Sequence, residues 1–522
     1  MRLGVYIRQL TSLGGGNRHA LAIAEHLSHH HQVEVITHTP LGASAITRHL
    51  TLDMSRVDLR SVPTQSVVQL ASLTQEYDLF VNALHNYYIP CQARYGALLI
   101  FFPTQYHLGV AARIRRTVAK LLNDWLAVEL ATVGIFEPEY DSGQGVRLLT
   151  GDAEMEIAPS FAALEATFSL LNPTTQERKV KIGLDDRPLH DIILSPQAAK
   201  SFRLDFPKQF RRSYRIRFES DEIPTSTPGR TAATSRDLPY LRLVNFQINH
   251  PRAFIFHQLF EKLLPGWRDR LQHVPADNFL AQVDTYDAIW ANSIFTQGWI
   301  KNYWSRSSDV VYPMVEVESF RPAAKEQMIL SVGRFFVAAH NKKHLVMIQA
   351  FKKLVDDGLT GWALHLAGGV VDDPIHQRYL ERVREAAQGY PIEIHANQPF
   401  AELVDLYSRS TIYWHAAGFG EDEEREPIKL EHFGVTTVEA MASGCVPVVI
   451  RKGGQTEIIE HGRTGFLWSQ IEELREYTLR LIRDEALRQK MARNALADSQ
   501  RFNRGHFGAA IDRSLQKMGA IA

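Results

Sequence analysis

Glu431-His-Phe-Gly-Val-Thr-Thr-Val-Glu439, continued by Ala440-Met-Ala-Ser-Gly-Cys-Val-Pro-Val-Val449, is the stretch on which the reading of this chain turns. Two carboxylates eight positions apart bracket Gly434, and the second falls early in an expected helix. The apolar run Val446–Ile450 behind it predicts a buried strand. Phe433, Gly434, Val435 and Thr436 lead into the helix, where backbone N–H groups lack intrahelical acceptors. Those free donors and the helix dipole together suit an anion such as a pyrophosphate. Gly434 lets a ligand come close to the backbone. Glu439 is placed to accept hydrogen bonds from a diol such as a ribose, and Glu431, on the preceding loop, to face a sugar.

Working outward, Gly453-Gly454-x-x-Glu457-Ile-Ile and Gly462-x-x-Gly465-Phe-Leu follow the central run. Upstream, Met328-Ile-Leu-Ser-Val-Gly-Arg334 predicts a buried strand entering a turn, and His340-Asn-Lys-Lys343-His-Leu opens a helix. Taken together these runs resemble the Glu-x7-Glu signature of retaining glycosyltransferases of family four, which have the two-lobed GT-B fold. The resemblance implies that Glu431 serves the donor sugar and Glu439 the ribose. It implies that Arg334 and a lysine, Lys343 with Lys342 as second choice, neutralise the leaving diphosphate, a task suited to guanidinium and ammonium groups. Phe433, Gly434, Val435 and Thr436 would line the donor site. No Asp-x-Asp occurs in the sequence, and no metal or other cofactor is expected beyond the donor, a UDP- or GDP-sugar, with a lean to GDP-mannose.

The 522 residues are too many for one domain. Lysine plus arginine balances aspartate plus glutamate at 58 each, so no global field draws nucleic acid. Two distant cysteines, Cys91 and Cys445, fit a reducing compartment. No apolar run approaches the ~20 residues of a membrane span. The expected location is the cytoplasm, at most at the cytoplasmic face of a membrane.

Along the chain, Leu3–Ile7, a helix to about His30 and Val33–Thr37 give a βαβ rhythm and hence a parallel sheet. The Gly14–Gly16 turn lacks the third glycine of a dinucleotide fingerprint, since His19 stands there. The family resemblance instead brings Gly15 and Gly16 to the donor diphosphate. Tyr77–Ala83 and Ala97–Phe102 are further strands. Relatives carry a histidine near the sugar where this chain has Phe101, leaving His107 or His85 as substitutes or the role unfilled. Leu108–Leu130 predicts a helix with Arg113, Arg116 and Lys120 on one side, suited either to a solvated face or to an anionic membrane surface.

Short alternating segments then run from about Thr132 to Asn245 and predict a jelly-roll-like β-sandwich inserted in the first lobe. The expected organisation is 1–131 with 246–322 as an N-terminal acceptor lobe, 132–245 as the insert, 323–495 as the donor lobe, and 496–522 as a helix returning to the first lobe. The acidic loop Glu421–Glu426 is expected to be a solvated flap. The activity implied is metal-independent, retaining transfer of a sugar to a glycan or lipid-linked acceptor in surface polysaccharide or glycoconjugate synthesis. Two alternatives stay open: a nucleotide-sugar epimerase or hydrolase on the same body, and a carbohydrate-binding protein without catalysis.

Overall fold

In the computed structural model, the structure describes residues 1–8, 10, 15–38, 52–63, 67–83, 88–105, 117, 121, 125–136, 139–141, 144–208, 212–220, 240–256, 279–337, 341–370 and 373–521. Gly14, His85, His107, the Pro224–Thr234 loop and most of the helix expected over Leu108–Leu130 lie outside them. That helix ends earlier than expected, because Glu129 and Leu130 already belong to a strand. The chain forms two compact units, one of residues 1–99 and 104–288, the other of residues 100–103 and 289–522.

Apolar runs bounded by turns build the parallel sheet of the first unit. Its strands are β1 (Arg2–Tyr6), β2 (Gln32–Thr37), β3 (Val57–Ser61), β4 (Leu79–Asn82) and β5 (Tyr95–Ile100), in the order β3-β2-β1-β4-β5. All four residues of β4 are buried, as strands covered on both faces require. The helix Gly15–Ser28 joins β1 to β2, and Gly15 and Gly16 are its first residues rather than a turn before it.

The expected inserted β-segment is antiparallel, and nine strands carry it. They are β6 (Glu129–Ile135), β7 (Glu139–Asp141), β8 (Gln144–Ile157), β9 (Leu164–Leu171), β10 (Arg178–Leu184), β11 (Arg187–Leu194), β12 (Ala199–Phe206), β13 (Tyr214–Ser220) and β14 (Leu241–Ile248). One ladder connects them, in the order β11-β10-β13-β8-β14-β9-β12, with β6 and β7 also on β8. The hydrogen bonding thus gives one continuous sheet where two facing sheets were expected. The long β8 is the reason: it pairs with β13 at Asp152–Ile157 and with β14 at Val146–Leu149. Alternation puts one face inside, and there Phe168 meets Phe202, Phe218 and Phe246 at centroid distances of 5.5, 5.6 and 6.0 Å.

β15 (Ala288–Ala291) and β16 (Asp309–Val310) bring the first sheet to seven strands, in the order β16-β15-β5-β4-β1-β2-β3, and the second unit carries a six-stranded parallel sheet. Its strands are β17 (Met328–Val332), β18 (Ala363–Gly368), β19 (Ile392–Ala396), β20 (Ile412–His415), β21 (Val446–Ile450) and β22 (Phe466–Trp468), in the order β19-β18-β17-β20-β21-β22. The order reverses between β17 and β20, and in open α/β sheets ligands bind outside the carboxyl ends of the strands at such a reversal. The helix Arg504–Lys517 packs in this unit: Trp290 Nε1 donates to Ser514 Oγ at 2.8 Å, and Lys517 pairs with Asp309 at 2.6 Å. Among the described residues no helix is long and apolar enough to cross a membrane.

Candidate functional site

The ends of β17 and β20 set the site of the second unit. Beyond β17 the chain turns at Gly333, where a Cβ would come within 2.5 Å of Lys342 Cγ. Glycine there leaves room for the Lys342 stem to cross the strand end. Lys343 follows as the N-cap of the helix His344–Asp356 with a left-handed backbone (φ 59). Its N–H donates to Asn341 Oδ1 at 2.7 Å. The two lysines therefore part company.

Lys342 Nζ donates to Glu431 Oε2, and His415, the last residue of β20, places Nε2 at 3.0 Å from the same oxygen. Lys343 instead pairs with Glu421 at 2.6 Å, which also takes Lys429 at 3.1 Å. Thus Lys342, the second choice for the diphosphate, is the lysine in contact with Glu431, while the favoured Lys343 faces Glu421. Glu421 is anchored by two lysines, so the start of the acidic loop is not the solvated flap expected.

Burial alone would raise the Glu431 carboxyl, but Lys342 and His415 outweigh it and hold the group well below the usual carboxylate range. Burial pushes His415 down from its ordinary value despite the carboxylate beside it. Its ring is 2 % exposed. An anionic Glu431 and a neutral His415 are the resulting forms near neutrality.

The helix Val435–Ala442 begins at Gly434, which has no side chain to cap it and stands at φ 121° and ψ 54°. A Cβ at this position would lie 2.4 Å from Gln455 Nε2, so both backbone and space call for glycine. The first-turn N–H groups of Val435 and Thr436 have no intrahelical acceptor. Tyr413 Oη donates to Thr436 Oγ1 at 2.8 Å and Tyr407 Oη to Glu439 Oε2 at 2.9 Å. Glu439 is thereby fixed and buried beneath the helix start.

The other expected residues have surroundings of their own. The Phe433 side chain is buried against Tyr312 and Phe502, with centroids 5.4 and 5.2 Å away. It is core, and only its backbone is left for a donor. Arg334 is exposed at the end of β17 and lies over the Phe336 ring at 5.3 Å. Gly15 and Gly16 belong to the first unit. Glu457 caps the helix Ile294–Trp304, accepting from the N–H groups of Ile294 and Phe295 at 2.8 and 3.1 Å. The Phe101 carbonyl accepts from Thr296 Oγ1 at 3.2 Å, and Phe102 stacks on His432 at 4.4 Å. His415 is the residue that sequence reading passed over. Its signal was its place at the carboxyl end of a strand, in Tyr413-Trp-His415.

Residues 316–498 match the family "Glycosyl transferases group 1". The human GDP-Man:Man(3)GlcNAc(2)-PP-Dol alpha-1,2-mannosyltransferase is 29 % identical over 44 % of this chain and 49 % of its own. The Xenopus tropicalis enzyme of that name is 30 % identical over 43 % and 47 %. Alpha-1,3/1,6-mannosyltransferase alg-2 of Neurospora crassa is 26 % identical over 54 % and 68 %. The chain spans about half the length of the first of these relatives. Among solved structures, Anabaena HepE in complex with UDP aligns over 99 % of this chain and all of its own, at 13 % identity and a TM-score of 0.52. A Rickettsia africae glycosyltransferase aligns over 100 % and 99 %, also at 13 % identity, with a TM-score of 0.51. The architecture is a GT-B-like α/β fold of parallel sheets with an added antiparallel β-sheet.

Proposed function

We propose that this chain is a retaining mannosyltransferase that uses GDP-mannose and a lipid-linked glycan acceptor. The observation carrying the reading is the Glu431–Lys342–His415 cluster at the strand-order reversal, in the same unit as the uncapped helix start at Gly434. The curated relatives' names, which specify mannosyl transfer and in several cases GDP-Man and a dolichol-linked glycan, support the donor and acceptor.

In this reading the diphosphate meets the N–H groups of Val435 and Thr436, and Glu439 takes the ribose hydroxyls. Arg334 and Lys342 stabilise the charge that develops on the leaving diphosphate. Lys342 replaces Lys343 in that role, because Lys343 is turned to Glu421. When the donor enters, its phosphates compete for Lys342 and free one Glu431 oxygen to orient the mannose and support its oxocarbenium-like transition state. The acceptor hydroxyl attacks the face the diphosphate leaves, its proton passes to the departing phosphate, and the anomeric configuration is kept. No divalent cation is assigned to the step. The chain would work at a cytoplasmic membrane face where lipid-linked acceptors are held.

The test is thermal shift or saturation-transfer NMR with GDP-, UDP- and ADP-sugars, on the wild-type chain and on Glu439→Ala. GDP-selective binding that weakens at least tenfold in the variant is expected. Equal indifference of both proteins to all three donors would remove the transferase reading.

A further inference from the structure

On the edge of the second unit's sheet, away from the residues used above, three side chains of metal-ligating type converge. His365 stands on β18 directly across from Glu393 on the edge strand β19, and His395 is two residues further along β19, on the same face. His365 Nδ1 and His395 Nε2 are 3.0 Å apart. A Glu393 oxygen lies 3.7 Å from the first and 3.6 Å from the second. We propose that His365, Glu393 and His395 form a binding site for a divalent cation of the zinc class, which clamps the edge strand β19 to β18.

The distances support this directly. Zinc bonds to imidazole nitrogen and carboxylate oxygen at about 2.0–2.1 Å in tetrahedral geometry, which separates neighbouring donors by roughly 3.3 Å. The three observed separations bracket that value, and the two nitrogens, which face each other at 3.0 Å, would part slightly and turn toward the Glu393 oxygen to take the cation. The two imidazoles lie in nearly parallel planes, 7° apart, and are held by the strands they sit on. The His365 and His395 side chains are 9 % and 19 % exposed, whereas Glu393 is 62 % exposed. The nitrogens are pre-set, and the carboxylate side is open for entry and for a water as fourth ligand. A plain hydrogen bond between the two rings explains their approach but gives Glu393 no part.

The charges around the site also permit a cation. Arg409 is the nearby positive group, and its guanidinium is engaged by Glu326 at 2.9 Å and Asp405 at 2.8 Å. Glu402 acts on His395 from the neighbouring helix with the opposite sign. The cation's role would be structural: among the described residues β19 pairs only with β18, and a metal bridge would secure such an edge strand.

The experiment uses the full chain, stripped with a chelator and titrated with Zn²⁺ or Co²⁺, alongside Glu393→Gln and His395→Gln. Elemental analysis after dialysis should find about one more equivalent of zinc on the wild type than on either variant. Cobalt should give visible d–d absorption bands that weaken in both variants. Zinc should raise the melting temperature of the wild type alone, with affinity at least about tenfold higher than in Glu393→Gln. The run His29-His30-His31 can also take zinc, and the comparison with the variants subtracts it. Equal uptake by wild type and a folded Glu393→Gln variant, or no uptake by either, overturns the proposal. Because Glu393 is exposed, that variant decides the matter even where His395→Gln fails to fold.

Discussion

At Lys343 the left-handed backbone turns one lysine toward Glu421 and leaves its neighbour Lys342 on Glu431. Replacing Lys342 by alanine removes the nearest positive charge from a partly buried carboxylate and one stabiliser of the leaving group. Lys342→Ala should therefore lower kcat by about 10²–10³-fold, the range for losing one preorganised stabilising group. Lys343→Ala should cost less than tenfold, and steady-state kinetics of the two variants checks the difference. Gly434→Ala faces both a positive φ and Gln455 Nε2, and should lose about 1–3 kcal/mol of stability together with nucleotide affinity. Denaturant unfolding and nucleotide titration would show it.

His344 gives a prediction in pH. Full burial against Phe335 lowers its value to about 3. Between there and the ordinary 6.5 the unfolded chain binds a proton that the folded one refuses, so stability falls as pH drops through that window. His344→Phe should flatten the dependence of unfolding free energy by up to about 1.4 kcal/mol per pH unit. Glu431 has the opposite origin and the same sign. Its depressed value adds stability that is present above the ordinary carboxyl value of 4.5 and disappears only in stronger acid.

At the scale of elements, the inserted sheet holds its core through rings that alternate along its strands. Phe168→Ala would empty the space shared with Phe202, Phe218 and Phe246 and should cost about 3–5 kcal/mol, read by urea denaturation. The strands themselves were legible because hydrophobic alternation is local. Their single ladder was not, since a strand's partner depends on residues far along the chain, and β8 serves two partners at its two ends. The site divides in the same way. The positions of Glu431, Glu439 and Gly434 follow from one contiguous run. The separation of Lys342 from Lys343 depends on one φ angle, the arrival of His415 at Glu431 on a second strand, and the burial of Phe433 on Tyr312 and Phe502. None of these is written in local sequence.

At the scale of the molecule, the proposed donor residues Arg334, Lys342, Glu431, Gly434 and Glu439 all belong to the second unit. Hydrogen exchange with saturating GDP should accordingly slow the amides around 433–437 while leaving the antiparallel sheet of the first unit unchanged. Uniform protection of both units would contradict the assignment.

The placement of residues 100–103 in the second unit has a consequence for how the protein is made and dissected. Phe102 leaves the ribosome early, yet the ring it stacks on, His432, follows hundreds of residues later. Closing that contact carries the entropy of a very long loop. The unit is thus not a single contiguous stretch of gene: a fragment beginning at 289 would lack one of its own side chains and leave a gap against His432. Such a fragment should gain stability from a peptide supplying residues 100–103 in trans, as a split protein does from its missing piece.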